Sequence, residues 1–167
     1  MVRELRLALL LTTALAAVPG IAAAGQSAAR VAITEGGLSV QAPPAVELPP
    51  ARLRGSAVTV AAPAGEIRVV DTRAGTPGWT LVASAAPPAD ARGEPMEASL
   101  VVVPEAGPLP TGIRLGPAAA LDAPRALAEA LPGYGAGAWT LTPTIRLTVP
   151  ADAASGVYTT TLVVTIA

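Results

Sequence analysis

The last third of the chain constrains the fold most. Ile145, Leu147 and Val149 alternate with Arg146 and Thr148, and the chain then breaks over 150–155. After the break, Tyr158, Thr160, Leu162, Val164 and Ile166 share one face. A period of two marks a half-buried strand and not a helix. Such an ending predicts that the final strand closes a β core and leaves no room for catalytic machinery. Tyr158 stands two residues after Gly156, which suggests a tyrosine-corner arrangement with its hydroxyl tied to the preceding loop.

Upstream, Pro and Gly, 18 and 16 in number, cut the sequence into short apolar runs about ten residues apart. Strands are expected over 37–40, 56–61, 66–71, 79–85, 96–103, 112–115 and 138–142. Pro43, Pro44, Pro49 and Pro50 forbid a central strand between the first two, because proline cannot donate to a sheet ladder. A turn is expected over 62–65, and the composition of 71–78 is that of a hairpin loop. One helix is expected over 122–131, with Asp122 as N-cap, Pro124 in the first turn and Pro132-Gly133 ending it. The fold class that follows is all-β, a β-sandwich of short antiparallel strands with one short crossover helix.

Arg3 and Arg6 precede an apolar run over 7–18, which Pro19-Gly20 breaks before Ala22-Ala23-Ala24. This is the pattern of a secretory signal over 1–24. The run is shorter than the ~20 residues a spanning helix needs, so no direct membrane span is expected after cleavage. Residues 25–35 read as a flexible lead-in and 36–167 as one domain. The chain has no cysteine, so its core must stand without disulfides. A secreted, cell-surface location is expected.

The residues present exclude several functions. With neither His nor Cys, no Ser–His or Cys–His nucleophilic centre can be assembled, nor an ordinary zinc site. The carboxylates Glu35, Glu47, Asp71, Asp90, Glu94, Glu97 and Glu105 are scattered singly through turns, as solvated charge is. No Asp-x-Asp spacing supports calcium. No enzyme, metal or cofactor is expected. Net charge is −1 and the eleven basic residues, all arginine, form no cluster. Nucleic acid and other polyanions are therefore not expected partners.

Four aromatic side chains remain: Trp79, Tyr134, Trp139 and Tyr158. Trp79 runs in phase with Leu81, and Tyr158 with Leu162, so both are expected in the core of a chain that has no phenylalanine. Trp139 follows a glycine-rich loop, and core and surface stay open for it. Asp71 is expected to accept amides of its own turn and to meet Arg73, with a ligand-binding role as the alternative.

Taken together, these segments resemble the WxL domain, the C-terminal surface-attachment domain of many Gram-positive exported proteins. Asp71-Thr72-Arg73-Ala74-Gly75 leading to Gly78-Trp79-Thr80-Leu81 is similar to that family's Asp–Arg–Gly turn and first Trp-x-Leu. Leu147-Thr148-Val149-Pro150-Ala151 with Ser155-Gly156-Val157-Tyr158 resembles its C-terminal hairpin. Val164-Thr165-Ile166 stands where the family's second Trp-x-Leu would fall, and Trp139-Thr140-Leu141 carries those letters earlier. The resemblance implies non-covalent association with the cell wall, through peptidoglycan or a membrane-anchored Ig-like surface protein. The candidate binding residues are Asp71, Arg73, Gly78, Trp79, Leu81, Trp139 and Tyr158. The rival expectation is a pilin-like or coat-like subunit of an extracellular assembly, and a glycan-binding module is a third reading.

Overall fold

The computed structural model describes residues 36–167, so the expected signal and lead-in lie outside the described residues. Among the described residues, eleven strands form three antiparallel sheets. The first sheet joins β1 (Leu38–Gln41), β3 (Ile67–Asp71) and β9 (Gly137–Leu141) in the order β1-β3-β9. The second runs β2 (Val58–Pro63), β10 (Thr144–Val149), β5 (Ser99–Val103) and β7 (Ala119–Ala120). The third runs β11 (Leu162–Ile166), β4 (Trp79–Ala85), β8 (Arg125–Ala130) and β6 (Ile113–Leu115).

The expected helix is absent, and its residues form β8, paired on both sides by β4 and β6. Ten residues make only a marginal helix, and packing outweighs the helical preference of Ala, Leu and Glu. A bulge hides the strand from its sequence. Ala128 faces Leu81 and Ala126 faces Val82, so Leu127 is the extra residue. Leu127 and Ala128 are consequently both buried, which breaks the alternation. Asp122 meets Arg125 at 3.5 Å, and Arg125 Nε donates to the Ala120 carbonyl at 3.1 Å.

Two connections also depart from expectation. Residues 71–78 carry the chain from the first sheet to the third, so β3 and β4 are not a hairpin. The closing strands separate as well: β10 lies between β2 and β5, while β11 pairs with β4. Strand β11 begins only at Leu162, so Tyr158 sits in the preceding loop, half-buried and outside the core. Thr159 bridges to Ala89, and Thr160 Oγ1 donates to the Ala86 carbonyl at 2.6 Å, holding this loop against the β4–β5 connection. The Tyr158 hydroxyl does donate to the preceding loop, at Ala154 O, 3.1 Å.

A single bent ladder joins the first two sheets. β2 pairs with β10 up to Pro63 opposite Thr144, the Ala64 amide donates to Pro143 O at 2.7 Å, and β3 resumes against β9 with Ile67 opposite Leu141. Strands that change sheet at such corners let orthogonal sheets share one interior. The corner at 64–66 replaces the turn expected over 62–65. One apolar cluster draws Ile67, Val69 and Leu141 from the first sheet, Val102 and Ile145 from the second, and Leu81 and Leu127 from the third. β3 alternates Ile67, Val69 and Asp71 inward, which delivers a carboxylate to the edge of that core.

Candidate functional site

Asp71 is the one buried charged residue among those described, 1 % exposed. Strand periodicity puts it there, and the next turn supplies its partner. The Arg73 amide and Nε both donate to Oδ1 at 3.0 Å, and Nη2 donates to Oδ2 at 3.0 Å. Nη2 also donates to Gly78 O at 2.6 Å. The guanidinium thus closes the 71–78 loop like a clasp, using the fork geometry that suits a carboxylate. Its hydrogen bonds hold the Asp71 carboxyl below its ordinary range despite burial, and the carboxylate raises Arg73 in turn. Both Asp71 oxygens accept hydrogen bonds from Arg73, so this group anchors the loop.

Gly78 turns the chain into β4 with φ +83°, a left-handed conformation that glycine alone adopts without strain. A Cβ here would lie 2.5 Å from the Ala130 carbonyl oxygen, so β8 leaves no room for a side chain. Thr76, the non-glycine residue with positive φ (42°), accepts the Gly133 amide at 2.8 Å. That bond ties the 71–78 loop to the loop that follows β8.

Trp79 is buried, 3 % exposed, and its Nε1 donates to Gly135 O at 3.2 Å. Trp139, opposite Val69 on β9, stacks on it with ring centroids 4.5 Å apart and planes 9° apart. The two indoles therefore bolt the first sheet to the third. Trp139 is half-buried, and its Nε1 is shielded from solvent with no hydrogen-bond partner. Leu81 is fully buried one layer deeper.

Six of the seven candidate residues thus fall along one packed stretch: Asp71, Arg73, Gly78, Trp79, Leu81 and Trp139. Tyr158 is not with them. It lies beyond the far end of β4, whose seven residues span about 20 Å at strand rise. The structure adds Gly135, which the sequence did not single out, and gives Tyr134, named there only among the aromatics, a place. Gly135, with φ +86°, has Trp79 and Ala130 against the place of a Cβ, and the half-exposed Tyr134 ring lies over Gly112. The signal for both was the run Gly133-Tyr134-Gly135-Ala136-Gly137, which reads simply as a loop.

A second Asp-x-Arg turn shows what this motif does by itself. Asp90 Oδ1 accepts the Arg92 amide at 2.8 Å and the Glu94 amide at 3.0 Å, and Arg92 donates to Oδ2 at 3.0 Å. The Glu94 amide foremost lowers the Asp90 pKa. Arg92 is 82 % exposed and closes nothing. The 71–78 loop differs in its buried carboxylate and in the bond from Arg73 to Gly78.

Among the described residues no group of three or more Asp, Glu, His or Cys could hold a metal, and no helix is long and apolar enough to cross a membrane. No family model, curated protein or solved structure matches the chain.

Proposed function

We propose that this is an exported, non-catalytic surface protein whose sandwich-type domain associates non-covalently with the cell wall, through peptidoglycan or a surface-anchored partner protein. The observation that carries the reading is the clasp. The Asp-x-Arg turn and the Gly-Trp-x-Leu segment that resemble the WxL domain act as one unit, joined by Arg73 between Asp71 and Gly78 O. In this reading the motif residues build a rigid scaffold, and binding falls to the loops and strand edges that the scaffold holds. The arginines are scattered along the chain without a cluster, so attachment rests on shape and backbone hydrogen bonds and not on charge.

The test is release from cells that display the full chain. Urea or detergent should free it without wall hydrolysis, and high salt should not. Release by salt alone, or only after the wall is digested, would contradict the proposal. The second reading, a subunit of an extracellular assembly, is favoured by one observation: among the described residues β2 is an outer strand of its sheet, paired on one side only.

A further inference from the structure

An endopeptidase takes up its substrate as an extended strand, so a cleavable segment must offer unpaired backbone as well as an exposed side chain. Most arginines among the described residues fail the first condition. Arg68 and Arg146 lie in strands paired on both sides. Arg114 and Arg125 are held in the ladders of β6 and β8. Arg73 is closed into the clasp. Arg92 is exposed, but its amide and those of Gly93 and Glu94 are all bound by Asp90.

Arg52 and Arg54 are the exceptions. Among the described residues no backbone hydrogen bond involves 42–57, the whole stretch from the end of β1 to the start of β2. Side chains alone hold this stretch. Val46 and Leu48 pack on the core cluster, and Pro43 Cγ lies 2.7 Å from where a Gly65 Cβ would stand. That hold stops at Leu48. Leu53 is half-buried but stands outside the core cluster, so a local opening that lifts it breaks no ladder. Arg54, Gly55, Ser56 and Ala57 are exposed in succession. Nothing lies within 4 Å of the place of a Gly55 Cβ, so the bond after Arg54 is open on that side. The bond after Arg52 runs instead into the half-buried Leu53.

We infer that the Arg54–Gly55 peptide bond is a cleavage site for an arginine-specific endopeptidase, and that the two pieces stay together after the cut. A carboxylate at the base of the protease's specificity pocket would pair with the Arg54 guanidinium. Hydrolysis breaks the C–N bond. The hydroxyl of water joins the Arg54 carbonyl carbon, and the proton goes to the Gly55 nitrogen. The upstream arm keeps its ladder, Leu38 to Gln41 against Asp71 to Arg68. Pro43, Val46 and Leu48 also wall an apolar cavity whose far side is Ile67, Ile145 and Leu162. Departure of the arm would bare those core side chains to water, which opposes it. The cut is independent of wall attachment, and its test does not involve the wall.

The experiment is limited digestion of the full chain with trypsin, read by intact mass and by size-exclusion chromatography with and without urea. The first cut within 36–167 should fall after Arg54. Its two fragments should co-elute without urea and separate in it. Arg54→Gln should remove this cut and leave the melting temperature unchanged. A first cut within 36–167 after Arg92 or any other arginine would overturn the site, as would resistance of 36–167 until the chain unfolds. Fragments that separate without urea would overturn the retained arm.

Discussion

Trp79 and Trp139 stand face to face, 4.5 Å between ring centroids, each from a different sheet. The pair explains how a chain with four aromatic side chains and no disulfide fastens separate sheets at one end. Large rings bury more area than the Ala and Val that fill most of this core.

Trp79→Ala should destabilise the domain by about 3–5 kcal/mol, the range for a truncated buried aromatic. Trp139→Ala should cost less, because that ring is half-buried and its removal also deletes a shielded, unpaired indole N–H. The double variant should reveal a coupling of about 0.5–1.5 kcal/mol for the stacked pair. Urea unfolding of the four proteins measures all three quantities. Equal costs with no coupling would show that the indoles do not touch.

Gly78 and Gly75 offer a matched pair. Both have positive φ, +83° and +80°, but only Gly78 has a carbonyl where a Cβ would go. Gly75→Ala should cost about 1–2 kcal/mol, the left-handed penalty for an L-residue. Gly78→Ala should cost distinctly more, because Ala130 must also move. Thermal melts of the two variants decide the matter, and similar melting temperatures would contradict the packing of Gly78 against β8.

Asp71 makes stability depend on pH with a definite sign. Its pKa in the folded protein lies below the ordinary 3.8, held down first by the Arg73 hydrogen bonds. The contribution is therefore fully present above 3.8 and is lost as the pH falls through the folded value. Asp71→Asn should lower the melting temperature at neutral pH and flatten the acid limb of the stability curve. Asp90→Asn should change both less, because its carboxylate is less buried than that of Asp71. An unchanged acid limb in Asp71→Asn would contradict the clasp.

β8 can be tested through its outward side chain. Ala126 is exposed on a strand, so Ala126→Thr should be neutral to within about 0.5 kcal/mol or slightly stabilising. In a helix the same change would cost stability. Far-UV circular dichroism should show no helical component from residues 122–131.

Much of this was legible in the chain because Gly and Pro punctuate it and alternation is local. Trp79, Leu81 and Ala83 announce the buried face of β4, and Asp71 with Arg73 announces its own turn. What stayed hidden is non-local. Leu127 and Ala128 read as helix because the bulge that buries both is set by β4, far away in sequence. The corner at Ala64 and Pro143 decides which sheet each strand joins, yet it is a meeting of two distant segments. Trp139 could not be assigned to the core because its stack depends on β9 pairing with β3. Tyr158 followed the alternation of the last strand but left the sheet, since Thr159 and Thr160 are held by residues 86–89 instead.

Co-sedimentation of the full chain with protein-free cell-wall sacculi tests the functional reading most directly. The account predicts saturable binding that high salt does not reverse and that the urea-unfolded chain lacks. A chain that stays in the supernatant at every concentration would contradict direct wall attachment, and binding abolished by salt would contradict a mode that rests on shape and backbone rather than charge.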